Sequence, residues 1–506
     1  MRVQREVESR VRWLWVLVVV GVGLQGLTLF ASDSGLDAHV RTNLEVGDDG
    51  ASVLPWGGLR HVQGHSVNAS PVAYDGWVAP WTSSTGTLKV ASLASVVLLA
   101  GAMSFKFAGS KETGSFNPVW ALPVLWSPVF LFSTGRGYDE AALALLVTGG
   151  VWWVWALGIE RAPAPRIVHA SLGASLGLVV LWKGLGLNVA LFTFVLVMLA
   201  SSAWHRWWAL SGGCVRGRHL SPRLALVIFY LLSVALVSLA GGLIGPGSFS
   251  IIAQHPIRFV MALLAAALIG PGLYLLIGCL LWPVVFGCMD AGKTDPWPLY
   301  FASCSGVLLG AVGVYTAVLW TFEAQLWGAS LASTIVLLGN NGRYVTVVIP
   351  LLVVMVRFCQ SDSPSSMTAP SGRQWLALSL VLPFVVASSM VGHQLWSVDA
   401  GEALSNHISD GESFMLVEEP SLAMHHLYAM RSSLHAEGTT SVSGAWSSPS
   451  SLDSSWLTNA THAAILIGPN SDYRLNETQW RLAEQAEVPL SVPGIQTGSW
   501  RLYLPA

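Results

Sequence analysis

The stretch WLWVLVVVGVGLQGLTLFA, residues 13–31, runs 19 residues without a formal charge. At a rise of about 1.5 Å per residue, that length crosses a hydrocarbon core of about 30 Å, so the stretch reads as a transmembrane helix. It is longer than the apolar core of a signal peptide, and no convincing small-residue cleavage site follows it. Further apolar stretches recur near 88–105, 117–133, 140–158, 167–182, 185–204, 223–244, 258–286, 298–320, 344–356 and 375–392, roughly eleven spans in all.

Composition agrees with that count. The chain is 53% hydrophobic and 11% charged, whereas a soluble domain carries about 25% charged residues. The expected fold class is therefore an α-helical polytopic membrane protein. The partner expected is the bilayer, with no nucleic acid.

Lys and Arg placement sets the orientation. Arg2, Arg5, Arg10 and Arg12 precede the first span, and Arg161, Arg166, Arg206, Arg216, Arg218 and Arg223 cluster in alternate loops. Residues 1–12 are thus expected in the cytoplasm of a multi-pass protein of the cell membrane. An odd number of spans then puts the loop at 32–87 and the tail after about residue 393 on the extracytoplasmic side. The three sequons, at Asn68, Asn459 and Asn476, all fall in segments assigned outside. The five cysteines, Cys214, Cys279, Cys288, Cys304 and Cys359, fall in spans or cytoplasmic loops, which leaves no disulfide scaffold for the tail.

The 32–87 loop is Gly-rich and carries Trp56, Trp77 and Trp81, which suits short interfacial helices. Beyond the transmembrane domain, expected over 13–392, residues 393–506 read as a small α/β domain. Strand-like runs at 413–417 and 463–467 alternate with helix-like segments at 421–434 and 477–486. The Ser-rich stretch 439–455 reads as a loop and 361–372 as a linker. Residues 327–338 form an apolar stretch that fits no assigned span.

Ionisable residues gather at the outer ends of the spans: Asp33, Asp37 and His39 after the first, Arg136, Asp139 and Glu140 between the third and fourth, Lys183 between the fifth and sixth, and Arg343 before the tenth. A charged side chain costs about 2.5–3.5 kcal/mol at the centre of a span and less toward its end, so such groups are expected to pair or face a cavity. Simpler roles exist for each. Asp37 suits loop solvation, His39 packing, Asp139 and Glu140 the positive end of a helix dipole, and Lys183 and Arg343 snorkelling to headgroups. His425 and His426 are adjacent on an expected helix and do not share a face, which points to structural roles.

Three of these positions also resemble motifs of the GT-C glycosyltransferases, polytopic enzymes that move a sugar from a polyprenyl or dolichyl phosphate to an acceptor outside the membrane. LDAHV at 36–40 is similar to the Asp-containing element that follows their first helix, although Ala38 stands where many members carry Glu. STGRGYDEAALA at 133–144 resembles their second-loop acidic motif. GRYVTVVIP at 342–350 is similar to the Arg-Tyr element of the branch that includes protein O-mannosyltransferases and aminoarabinose transferases.

The resemblance implies Asp37 as the base that activates the acceptor, with His39, Asp139 and Glu140 in the catalytic set. It implies Arg343, Lys183, Arg136 and Tyr344 at the lipid phosphate. Some members hold a divalent cation, Mg or Mn, for which Asp37, His39, Asp139 and Glu140 include suitable ligands. The expected partners are a lipid-linked sugar donor and a protein, lipid or glycan acceptor. A transporter or lipid-linked-substrate flippase is the main alternative, and it predicts inverted repeats and broken helices. A membrane-anchored receptor ranks below both.

Overall fold

The computed structural model describes residues 2–43, 66–68, 85–105, 118–158, 166–183, 185–211, 214–215, 218–244, 247–275, 296–360, 395–439, 442–450, 452, 462–488 and 498–506. The chain folds as two compact units. The first comprises Met1–Thr28, Ser92–Thr134 and Asp139–Ala387, and the second Leu29–Ala91, Gly135–Tyr138 and Ser388–Ala506.

The first unit is helical. Among the described residues of the whole chain, seven helices are long and apolar enough to cross a membrane: Trp13–Ala31, Thr85–Ser104, Leu187–Trp204, Pro222–Ile244, Pro256–Leu275, Pro298–Leu326 and Gly339–Val356. The span expected at 117–133 is instead a bent pair, Pro118–Leu125 and Pro128–Arg136, meeting at 63°. Pro128 accounts for the break, because it lacks an N–H and disfavours helical geometry in the residue before it. Counting that pair as one span makes eight.

In chain order the helices are α1 (Arg2–Ala31), α2 (Leu36–Asn43), α3 (Thr85–Ser104), α4 (Leu122–Leu125), α5 (Pro128–Arg136), α6 (Glu140–Gly158), α7 (Arg166–Trp182), α8 (Leu187–Ser211), α9 (Pro222–Ile244), α10 (Ile251–Gln254) and α11 (Pro256–Ala267). They continue with α12 (Pro296–Leu326), α13 (Leu331–Leu337), α14 (Ile349–Gln360), α15 (Trp396–Ser405) and α16 (Ala423–Ala436). The 327–338 stretch is a turn followed by α13, whose start is capped by Ser330 accepting the Ser333 N–H.

Helix α12 packs most extensively against α9, and small residues allow it. A Cβ on Gly310 would lie 2.7 Å from the Tyr230 carbonyl oxygen, and one on Gly306 would collide with the Leu226 carbonyl. Two glycines four residues apart therefore let the backbones touch, the usual device where apolar burial cannot drive helix pairing.

The second unit contains an open six-stranded sheet. Its strands are β1 (Ser66–Asn68), β4 (Ser413–Val417), β5 (Ser443–Ser447), β6 (Ala464–Ile467), β7 (Trp480–Glu487) and β8 (Ser499–Pro505), in the spatial order β1-β5-β4-β6-β8-β7. Strands β2 (Cys214–Val215) and β3 (Arg218–His219) form a separate hairpin in the first unit. β5, β4 and β6 are parallel, and the remaining pairs in the sheet are antiparallel. Alternation sends Phe414 and Leu416 to the face covered by α15 and α16, and Met415 and Val417 to the other face with Ile465, Ile467 and Trp480. Burial on both faces explains why the β4 and β6 runs are continuously apolar.

Two sequence expectations for the tail are corrected. Residues 477–486, expected helical, form most of β7, because pairing with β8 overrides the helix-favouring Arg, Glu, Ala and Gln content. The expected loop at 439–455 contains β5, whose small residues hide a strand that pairs in parallel with β4. The expected span at 375–392, the linker 361–372, Trp56, Trp77, Trp81, Cys279, Cys288 and the Asn459 sequon lie outside the described residues.

Candidate functional site

Asp139 and Glu140 stand at the start of α6, where the Asp139 carbonyl accepts the Leu143 N–H. Lys183 directly follows α7, which packs along α6. Arg343 and Tyr344 lie on a 3₁₀ segment, Gly339–Val348, that abuts α6. On another side the segment packs against the helical stretch Leu268–Leu275, which Gly342 allows: a Cβ there would meet Tyr274 at 2.6 Å and Ile269 at 2.7 Å. The Thr346 hydroxyl donates to the Arg343 carbonyl at 2.9 Å and tightens the turn.

These elements bring Asp139, Glu140, Lys183, Arg343 and Tyr344 together within the first unit. Lys183 Nζ lies 2.9 Å from Asp139 Oδ1 and 3.8 Å from Glu140 Oε1. Arg343 Nε lies 2.9 Å from Glu140 Oε1, and its Nη1 donates to Asn341 Oδ1 at 3.0 Å. The Trp182 indole N–H donates to Asp139 Oδ2. The Tyr344 ring faces both cations, with Lys183 Nζ 4.7 Å and the Arg343 guanidinium carbon 5.0 Å from its centre.

Two carboxylates thus balance two cations, in unequal settings. Arg343 and Glu140 are 2% and 0% exposed, whereas Lys183 and Asp139 are 19% and 13% exposed. The inner pair is sealed from solvent, and the outer pair keeps a small solvent-facing edge. Glu140 Oε2 is buried and lacks a hydrogen-bond partner among the described residues, so one lone-pair site of the quartet is unmatched.

An apolar cavity of about 270 Å³ lies in the same unit, walled by residues that include Leu172, Val180, Leu185, Phe249 and Tyr315. Tyr315 connects it to the charged quartet, its ring centre lying 5.5 Å from that of Tyr344.

No family model, curated protein or solved structure matches this chain.

The other expected site residues belong to the second unit. Asp37 is in the first turn of α2, half-buried, and its charge acts on His425 of α16. His39 is buried one turn further on, its Nδ1 2.8 Å from Ser432 Oγ on α16. Burial first, and the Lys89 charge second, pull its imidazole down to about 4, so the ring is neutral at pH 7. Arg136 ends α5, and its carbonyl accepts the Gly35 N–H at 3.0 Å. Among the described residues no group of three or more His, Cys, Asp or Glu side chains is arranged to hold a metal ion.

The sequence reading overlooked Trp182, Asn341 and Tyr315. Only Trp182 carried a signal, being an indole next to a lysine at an outer helix end. It also overlooked Lys89, which donates to the Leu29 carbonyl at 3.1 Å and to the Ser32 carbonyl, and so caps the C-terminal end of α1.

Proposed function

We propose that this chain is an integral membrane glycosyltransferase of the GT-C kind, moving a sugar from a polyprenyl or dolichyl phosphate to an acceptor on the extracytoplasmic side. The observation that carries this reading is the quartet Asp139, Glu140, Lys183 and Arg343, gathered with Tyr344 beside an apolar cavity. A lipid phosphate needs a cation next to apolar walls for its hydrocarbon chain, and this arrangement supplies both. The finer topology belongs to the same reading: about eleven spans, a cytoplasmic N-terminus and an exported C-terminal domain.

The charges divide the work. Arg343, fixed by Glu140 and Asn341, sets the positive field of the site. Lys183 is the cation that moves to the departing phosphate, leaving Asp139 on the Trp182 indole. Stabilising charge on a leaving group in a shielded site is often the largest part of catalysis, about 3–4 kcal/mol for one well-aimed donor. The likeness of LDAHV to the element after the first helix of those enzymes supports Asp37 as the base that takes the acceptor's proton, a role worth typically 10²–10⁴-fold. One base acting directly on the acceptor gives a single displacement with inversion.

The bent pair at Trp126–Pro128 favours the second reading, a flippase or transporter for the same lipid-linked class, because broken helices line many transport sites. Membranes containing the chain are incubated with polyprenyl phosphate sugars, and release of free lipid phosphate is compared between native, D37N and K183A proteins. Release by the native form alone supports the transferase. Movement of intact donor across the bilayer without bond cleavage supports the flippase.

A further inference from the structure

Of the three sequons, the structure separates two. Asn68 closes β1, where its backbone is paired with Ser443 of β5 and held extended in the sheet. Asn476 lies in a turn ahead of β7, and Asn476, Glu477 and Thr478 are all exposed. The turn is pinned on both sides by buried residues, Leu475 and Trp480, and the Asn476 carbonyl accepts the Gln479 and Trp480 N–H groups at 3.0 Å. The tripeptide therefore projects from a fixed base.

Within it, both the Thr478 hydroxyl and the Thr478 N–H donate to Asn476 Oδ1, at 2.9 and 3.1 Å. Two donors on the carboxamide oxygen draw electron density toward it and make the side-chain N–H more acidic. That is the change a carboxamide nitrogen needs to act as a nucleophile. The hydroxyl that an Asn-x-Thr sequence supplies is thus already engaged with its asparagine.

We propose that Asn476 is a modification site, carrying an N-linked oligosaccharide at the turn that leads into β7. The inference rests on the extracytoplasmic placement of the tail in the reading above. In the reaction, Asn476 Nδ2 bonds to the anomeric carbon of a lipid-pyrophosphate oligosaccharide while the bond from that carbon to the phosphate oxygen breaks. The lipid pyrophosphate leaves with the electron pair, and the amide gives one proton to a base of the membrane oligosaccharyltransferase. The glycan then stands beside β7, an edge of the sheet among the described residues. An edge strand exposes unpaired N–H and C=O groups, and a bulky hydrophilic chain at its entry hinders pairing with another copy.

The test translates the full chain into membranes that hold lipid-linked oligosaccharides, in an N459Q background. A reporter sequon is placed on a flexible extension after Ala506. The expected result is glycan on both the reporter and Asn476, with Asn68 bare by mass spectrometry. The Asn476 glycan is retained in T478S and lost in N476Q and T478A. A modified reporter with a bare Asn476 overturns the inference and leaves the tail's orientation standing. A bare reporter and a bare Asn476 overturn the orientation, and with it the extracytoplasmic transferase. Glycan on Asn68 in place of Asn476 shows that the exposed turn does not select the site.

Discussion

Arg343 Nε donates to Glu140 Oε1 at 2.9 Å across 203 residues of sequence, and both side chains are buried. Removing one member of such a pair strands a charge away from water and costs about 3–5 kcal/mol, whereas replacing both by apolar residues is often near neutral. R343A and E140A are each expected to unfold at markedly lower temperature in detergent. The double variant R343M/E140L should be more stable than either. A double variant as unstable as the sum of the singles would mean that the two side chains do not act as a pair.

Lys183 is the contrasting case, because its ion pair with Asp139 is partly open to solvent. K183A should retain the native melting temperature within a few degrees while sugar transfer falls about 100- to 1000-fold, the loss expected for one well-aimed phosphate donor. R343A, in comparison, loses both. Equal loss of stability in the two variants would remove the distinction between the fixed and the mobile cation.

The quartet was legible in the sequence because charge is so costly near hydrocarbon that each outer-end residue signalled a partner. Asp139, Glu140, Lys183 and Arg343 are readable in this way, whereas Tyr344 is marked only by the Arg-Tyr resemblance. His39 was not legible in the same way: the sequence places it beside Asp37, but only packing reveals that its ring is held on Ser432, far along the chain. β5 and β7 were misread for a related reason. Strand pairing is non-local, so a run with helix propensity or a Ser-rich run takes its state from a neighbour that local composition does not report. The β4 and β6 runs escaped this because burial on both faces writes a continuous apolar signature.

Close approach of α9 and α12 gives a third expectation. Since a Cβ at Gly306 would collide with the Leu226 carbonyl, a backbone atom that cannot turn aside, G306A forces the helices apart. Overpacking of this kind costs about 1–3 kcal/mol. G313A, on the same helix with the Tyr230 hydroxyl 3.8 Å from the added carbon, is the control. Thermal unfolding should rank the native protein and G313A together above G306A.

The second unit carries opposing proton linkages. Burial above all, together with the charges of His425 and His39, holds His426 down to about 3, and burial and Lys89 hold His39 down to about 4. An imidazole depressed in the folded state favours the unfolded chain once the pH drops below the ordinary value of about 6.5, so stability falls on acidification. Glu418 works the other way. It follows β4, is fully buried, and accepts the Glu419 N–H at 2.6 Å and the Asn470 N–H at 3.2 Å. Burial nevertheless pushes its carboxyl up to about 7. A raised carboxyl contributes its full stability below about pH 4.5 and loses it as the pH climbs through 7.

Between about pH 4.5 and 6.5 His426 and His39, joined by His425 and His462, which burial also holds down, oppose Glu418, joined by Asp399 and Glu402, which burial also pushes up. Each fully shifted group changes the slope by about 1.4 kcal/mol per pH unit. E418Q removes one opposing group, and its slope should be steeper than the native one by up to about that amount. H426N should make the slope shallower by a similar amount. Denaturant titrations of the full chain from pH 4.5 to 8, followed by hydrogen exchange of the β4 and β6 peptides, read these slopes. A native slope unchanged by E418Q would show that the Glu418 carboxyl does not titrate in that range.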